Sequence, residues 1–503
     1  MRHFPKKNLI YIIGSVFALL YTFIFEGVIL SNNNFTFKVI ASMNCVIFPC
    51  YLWLLITTYR SKRKIGFFFI FIILSILFYY GQFILIYFGQ SAKLEADYSS
   101  LLCGRLSYEN VLKALFMQMQ SLLCVHIGYM LFIRDDEFNI SFNSADSFEE
   151  TENAVTIPYG FHTVALILFI VSGIATFITL FYNISLGAYM TVRTEESSIY
   201  TFASGSPMFY AGFLSQWFLP SFYMLLLYNA VTKNRKKYIF LLIFICFYIG
   251  IYLLTGARFQ VIKIFLAVFL IHYYFVEKIT WKQLKWLIPV LIIAMFILSS
   301  MSQSRHESLS VGSIFSGFTA SSFVDQLYNI FLEPGSASVS LANTIEHCPS
   351  DVPHIYFVSF LKVIDNILPS FISPFNGVGR TTTSNIFSPI FYGWTGSGYG
   401  SSFVTEAYYY WGSFIYIVML LYGCAFGKIE DSFSGFMTNE NIFSSFASVL
   451  MMSELIFCVR NDVFQLGRVF VYCILIPCIL VEIMNSLYSR RIGNNTRQER
   501  YLL

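Results

Sequence analysis

Apolar residues in this chain come in blocks of roughly 20, separated by shorter polar stretches. Twelve blocks stand out: Leu9–Leu30, Phe35–Thr57, Ile65–Phe88, Val111–Ile133, Phe161–Tyr182, Met208–Ala230, Tyr238–Leu254, Val261–Val276, Trp286–Ser300, Val404–Tyr422, Phe443–Cys458 and Phe464–Asn485. Most are long enough to cross a bilayer core as helix; the eighth, ninth and eleventh are short. A backbone exposed to lipid must satisfy its own hydrogen bonds, so helix is the expected state. The pattern predicts an all-α polytopic membrane protein, a single integral membrane domain over residues 1–503 with about 12 transmembrane helices.

The blocks are unevenly spaced, and no internal repeat is evident, which disfavours transporters built from two related halves. Between the ninth and tenth blocks, residues 301–403 form one large loop, and a loop of that length is usually functional. Within it, Val358–Leu368 sets Ser359, Lys362 and Asn366 along one helical face, with Phe360, Leu361, Ile364, Ile367 and Leu368 elsewhere. That pattern suits either a short helix on the membrane interface or a helix packed inside a folded loop domain. The first block has the basic start of a secretory signal. It is too long, lacks a small-residue cleavage site and runs into the second block after Ser31-Asn-Asn-Asn34, so it reads as a retained helix.

Composition sharpens this picture. The chain is 56% hydrophobic and only 12% charged, with a mean hydropathy of +0.64, which excludes a soluble enzyme, a disordered protein and a secreted disulfide scaffold. A net charge of +4 is too small and too dispersed for nucleic-acid binding. The basic residues set the orientation. Arg2, Lys6 and Lys7, the run from Arg60 to Lys64, the run from Lys233 to Lys237, Lys278, Lys282, Lys285, Arg134, Lys428 and the basic tail from Arg490 to Arg500 share one side, 20 in all. The short opposite loops hold Lys93, Arg105, Arg193, Arg258, Arg460 and Arg468. Both termini are therefore expected in the cytoplasm, with the 301–403 loop facing outward. The acidic inward stretch Asp135–Glu152 reads as a solvated loop.

The outward face prefers arginine. With the long loop included it holds seven arginines (105, 193, 258, 305, 380, 460 and 468) against Lys93 and Lys362, whereas the inward face has eleven lysines to nine arginines. A guanidinium grips two phosphate oxygens at once and keeps its charge, so arginines on separate outward loops suit a lipid-linked pyrophosphate; pairing with carboxylates or headgroups is the plainer role for any one of them. Arg258 ends Thr255-Gly-Ala-Arg258, a tight turn between spans seven and eight. Arg305 belongs to Ser304-Arg-His-Glu307, directly after span nine, and Arg193 to Thr191-Val-Arg-Thr-Glu195. Val459-Arg-Asn-Asp462 joins the last two spans, with Arg468 just beyond.

The long loop ends in Gly393-Trp-Thr-Gly-Ser-Gly-Tyr-Gly-Ser-Ser402, whose glycines permit close backbone approach to a ligand. It lacks the Lys-Ser/Thr of a nucleotide phosphate loop. Glu406 follows at the outer start of span ten, where a carboxylate needs a cavity or a partner. The aromatics 408–411 fit sugar stacking or an interfacial belt. Glu454, deeper in a span near the Arg460 turn, reads as a structural ion-pair partner, and Lys263 as an extension of the Arg258 positive pocket. No CxxC pair or Cys/His cluster suggests a metal. Of the ten cysteines only Cys103 and Cys348 fall in outward loops, where pairing and simple burial are both open.

In this order, the features resemble the O-antigen polymerases, the Wzy-type repeat-unit polymerases of bacterial surface polysaccharide assembly. The resemblance covers nearly the whole chain. It rests on the topology, the late outward loop, the Gly-Ala-Arg turn at 256–258, the serine/glycine run leading into Glu406, and the Arg460–Asp462 turn. It implies a protein of the bacterial inner membrane with its active site facing the periplasm. The implied reaction transfers a growing glycan from undecaprenyl pyrophosphate to the non-reducing end of a new lipid-linked unit, without cofactor or metal. Implied partners are the lipid-linked oligosaccharide, membrane lipid, a chain-length regulator and a flippase. By this reading Arg258, Arg305 and Arg460 hold the pyrophosphate. Arg193, Arg380 and Arg468 bind saccharide or a further phosphate, and the base is Glu406, His306 or Glu307. An O-antigen ligase, sharing topology and donor, and a non-enzymatic lipid-linked oligosaccharide flippase are the alternatives; the flippase has no need of so long an outward loop.

Overall fold

The helices form where the apolar blocks predict them, because uninterrupted Leu, Ile and Phe leave the backbone no partners but its own. The computed structural model describes residues 6–62, 66–133, 157–185, 207–254, 258–276, 323–368, 382–393, 400–434 and 442–500. Among these residues the ordered elements are helical, with no strand. Among the described residues seven helices are long and apolar enough to cross a membrane: Lys7–Ile29, Phe35–Ser61, Phe67–Tyr87, Tyr108–Phe132, Tyr159–Thr179, Phe403–Ser432 and Leu466–Ser489. Val261–Phe275 and Ile442–Phe457 are shorter apolar helices. The predicted ninth span, 286–300, lies outside the described residues.

Two predicted spans differ in detail. The sixth is two helices, Pro207–Ser215 and Phe218–Val231. Pro220 supplies no N–H to the carbonyl of Gln216 and its ring would clash there, so the first helix must stop short of it. The tenth also divides, into Phe403–Trp411 and Ile415–Ser434, around Gly412 at φ +52°. It runs well past its predicted end at Tyr422.

The chain forms two compact units. The first comprises Met1–Asn153, Leu327–Gly435 and Leu455–Gln465; the second comprises Ala154–Gln326, Phe436–Glu454 and Leu466–Leu503. In the first, helix Tyr108–Phe132 is the interior member: 83% of its most apolar window is buried, against 11% for Lys7–Ile29. Helix Ile415–Ser434 lies directly on it. Gly423-Cys-Ala-Phe-Gly427 is a small-residue motif that lets two backbones touch. A Cβ on Gly423 would overlap the Val125 carbonyl, one on Gly128 the Leu420 carbonyl, and one on Gly427 would sit 2.6 Å from the Tyr129 carbonyl.

Buried polar groups fasten this unit. The His126 ring bridges the Ser15 and Thr57 hydroxyls, each at 2.9 Å, tying three helices together. Glu430 accepts hydrogen bonds from the Phe68 backbone N–H and the Tyr129 hydroxyl, both at 3.1 Å, and so closes the start of helix Phe67–Tyr87. Glu346, on helix Ser336–His347, accepts from the Ser107 N–H (3.1 Å), the Ser107 hydroxyl (2.9 Å) and Asn110 Nδ2 (2.8 Å) at the head of the central helix.

The second unit has polar fastenings of its own. Trp217 Nε1 donates to the Tyr472 carbonyl at 2.8 Å, and the Gly160 N–H donates to Asn485 Oδ1 at 2.8 Å. Lys263 is ion-paired with Glu454. Glu454 thus has the ion-pair role expected of it, with Lys263 as partner.

Replacing Gly423 by Leu should force the two backbones apart at a cost of at least about 2 kcal/mol. The thermal midpoint in detergent should fall by several degrees or the protein should aggregate. Gly250→Leu, where nothing lies within 4 Å, should leave the midpoint unchanged. Equal midpoints for both variants would contradict the close crossing.

Candidate functional site

The serine/glycine run and the Arg460–Asp462 turn, 57 or more residues apart, meet at one end of the first unit. Gly400 carries φ +88°, and a Cβ there would lie 3.3 Å from Arg460 Nε, so both backbone angle and space call for glycine. From it the chain runs beside the turn. The Ser401 N–H donates to the Arg460 carbonyl and the Phe403 N–H to the Cys458 carbonyl, each at 3.0 Å. Ser402 then caps helix Phe403–Trp411, its hydroxyl accepting from the Thr405 N–H at 3.1 Å.

One turn into that helix, the buried Glu406 reaches back to the far side of the same loop. Its carboxylate accepts from the Val463 N–H and, at 3.1 Å, from the Phe464 N–H. Asp462 is equally buried. One carboxylate oxygen accepts from the Thr383 N–H at 2.6 Å. The other oxygen is buried without a hydrogen bond in the protein, as are the hydroxyls of Ser401 and Thr383. Those hydroxyls are near enough to favour the charged carboxylate, yet neither meets it with normal hydrogen-bond geometry.

A third charge enters from helix Val358–Ile367. Lys362 Nζ donates to the Tyr410 hydroxyl at 3.2 Å and lies 5.2 Å from the centre of the Phe464 ring. One turn on, Asn366 Nδ2 donates to the Phe464 carbonyl at 3.4 Å. Burial draws the Lys362 ammonium below its ordinary pKa, while the carboxylates of Asp462 and Glu406 oppose the shift. Burial likewise pushes Asp462 above its ordinary 3.8, opposed by the Thr383 N–H and by Lys362. The result is a buried group of two carboxylates and one ammonium, with Arg460 half-buried on the adjoining turn. Such a group can accept a proton or orient a hydroxyl beside a fixed positive charge.

The remaining predicted residues divide by location. Arg468 is in the second unit, its guanidinium 5.9 Å from the centre of the Tyr472 ring. Arg258 begins helix Arg258–Phe275 in that unit; its side chain lies outside the described residues. Arg193, Arg305, His306, Glu307 and Arg380 also lie outside them. Arg105 is held by the Phe391 carbonyl and stacked 3.7 Å from the Tyr98 ring centre. Cys103 and Cys348 are both free thiols, and Cys348 donates to the Val352 carbonyl at 3.0 Å. Sequence reasoning gave Asp462, Ser401 and Thr383 no chemical role, and offered Tyr410 only sugar stacking or an interfacial belt. Asp462 was legible as the acid closing the Arg-Asn-Asp turn, whereas Thr383 carried no signal because its contribution is a backbone N–H.

These features define a helical multi-pass membrane protein with a buried acidic and basic cluster beside the end of one span. The chain belongs to the O-antigen polysaccharide polymerase Wzy family, whose family model matches residues 10–491. No curated protein and no solved structure matches it. Membership gives it the general role of O-antigen polymerase, acting in the membrane on lipid-linked oligosaccharide.

Asp462→Asn provides a stability test of the cluster. An acid whose pKa is raised by folding contributes stability that is complete below its unfolded pKa and is lost as pH rises through the folded value. The wild-type protein should therefore lose part of its thermal stability as pH rises above the ordinary aspartate range. Asp462→Asn, which can still accept from the Thr383 N–H and can donate to the free hydroxyls, should flatten that loss. Melting curves at several pH values in one detergent measure it, and identical slopes for both proteins would refute the assignment.

Proposed function

We propose that this protein extends O-antigen by moving a growing glycan from undecaprenyl pyrophosphate to the non-reducing end of a new lipid-linked repeat unit. The reaction takes place on the periplasmic side of the inner membrane. An acceptor hydroxyl oxygen attacks the anomeric carbon of the donor sugar. The bond from that carbon to the pyrophosphate oxygen breaks, and its electron pair leaves with the pyrophosphate. The hydroxyl proton passes to a carboxylate.

The observation that best supports this reading is the junction of Gly400–Glu406 with the Arg460–Asp462 turn around two buried carboxylates. A guanidinium beside the leaving group stabilises its developing charge at no reorganisation cost, and Arg460 is the candidate for that role. Glu406 was first choice as base from sequence. With both oxygens engaged by backbone N–H groups, it suits holding the loop, and Asp462, with one oxygen unengaged, suits accepting the proton. Arg258 and Arg305 keep their proposed role toward the pyrophosphate, Arg193, Arg380 and Arg468 theirs toward saccharide or a second phosphate, and His306 and Glu307 theirs as further bases. A chain-length regulator and a flippase are the expected partners.

Complementation of a deletion strain tests the proposal. Arg460→Ala and Arg258→Ala should insert normally but reduce the long polysaccharide ladder to lipid A core bearing a single unit. Arg460→Lys should restore little of the ladder, because lysine cannot make the bidentate contact. Normal ladders from both alanine variants would remove the site assignment. Bare core with free lipid-linked polymer in the deletion strain would identify a ligase instead.

A further inference from the structure

Helix Val358–Ile367 is inside out by the standard of a water-soluble protein. Its four buried residues, Ser359, Lys362, Asp365 and Asn366, are all polar. Its outer side carries Val358 (57% exposed), Phe360 (57%), Leu361 (44%) and Ile364 (50%), with Phe357 (73%) immediately before it. In water this arrangement would expose the apolar stripe and bury the polar one, the reverse of what hydrophobic burial favours.

The apolar stripe does not end with the helix. Phe357 and Phe360 pack edge-on against Trp411, with ring centres 5.3 and 5.7 Å apart. The Tyr356 N–H donates to the Tyr410 carbonyl at 2.6 Å, which fixes the helix to this point of the span. From Trp411 the exposed residues continue at helical spacing along the membrane helix as Phe414 (57%), Ile417 (61%) and Leu421 (58%). These are the outward-facing residues of a segment apolar enough to cross a bilayer. The helix stripe is thus continuous with a lipid-facing surface.

We infer that helix Val358–Ile367 lies in the bilayer interface with Phe357, Phe360, Leu361 and Ile364 immersed in phospholipid, while its polar side covers the Glu406–Asp462 cluster. Lipid is the one occupant that suits both sides of the helix. It solvates the apolar stripe while Lys362 and Asn366 turn inward to Tyr410 and Phe464. Of the two environments that the sequence left open for this segment, the structure favours the interface. The inference is independent of the transfer chemistry proposed above.

Photo-crosslinking tests it without any substrate. p-Benzoylphenylalanine is placed singly at Phe360, Ile364 or Leu421 in the full-length protein. Each variant is reconstituted into vesicles of phosphatidylethanolamine and phosphatidylglycerol that contain no polyprenyl lipid, irradiated, and weighed intact. The Leu421 position reports the lipid-facing side of the span. Adducts of one phospholipid mass at positions 360 and 364, with at least half the yield seen at 421, are expected. Phospholipid adducts at 421 alone overturn the inference, as do adducts at 360 and 364 to a second copy of the chain.

Discussion

A carboxylate shielded from water must find hydrogen-bond donors within the protein, and Glu406 finds them in the Val463 and Phe464 N–H groups. Those two bonds turn the loop between the last two hydrophobic segments back onto helix Phe403–Trp411. The Ser401 and Phe403 N–H groups then pair with the carbonyls on the loop's near side. Asn366 takes the carbonyl of Phe464, and Lys362 lies over its ring. The hydrogen bonds from Ser401, Phe403, Glu406 and Asn366 thus all end on a seven-residue stretch, Cys458–Phe464. Withdrawing the Glu406 carboxylate would strand two backbone N–H groups, at about 1–3 kcal/mol for each that stays buried.

Beneath the cluster, the crossing of Gly128 with Gly423 and Gly427 supplies rigidity of another kind. Backbones in contact leave no side chain between them to repack, so helix Ile415–Ser434 holds its height against the central helix. The short turn at Gly412 passes that fixed height to helix Phe403–Trp411, which carries Glu406. Arg460 lies on the same loop as Asp462, its backbone carbonyl held by the Ser401 N–H. The arrangement sets a buried carboxylate and a guanidinium on one loop, which is what the transfer proposed above would call for.

Much of the architecture was legible because its cause is local. A run of apolar residues forms a helix in lipid whatever surrounds it, whereas the break ahead of Pro220 inside the sixth block was not drawn from the sequence. The extension of the tenth span past Tyr422 was less visible. Lys428, Glu430 and Asp431 look like the end of a membrane segment, and only the structure shows Glu430 turned inward to Phe68 and Tyr129. For the site, the glycine run, Glu406 and the Arg460 turn were each readable as unusual chemistry. Their meeting was not readable, because it depends on two loops far apart in sequence. Asp462 was passed over for the same reason: its environment comes from Thr383 and Ser401, and neither carries an ionisable group that would have drawn attention to it.

The clamp also imposes an order on biosynthesis. Val463 follows Glu406 by 57 residues, so when helix Phe403–Trp411 leaves the ribosome its carboxylate has no partner yet made. The polar side of helix Val358–Ile367 waits longer still, Phe464 following Asn366 by 98 residues. Until the loop that precedes the final membrane helix is translated, the Glu406 carboxyl lacks its two backbone partners. Its completion is thus a late event, and a chain truncated before residue 463 would present quality-control proteases with an open acidic socket.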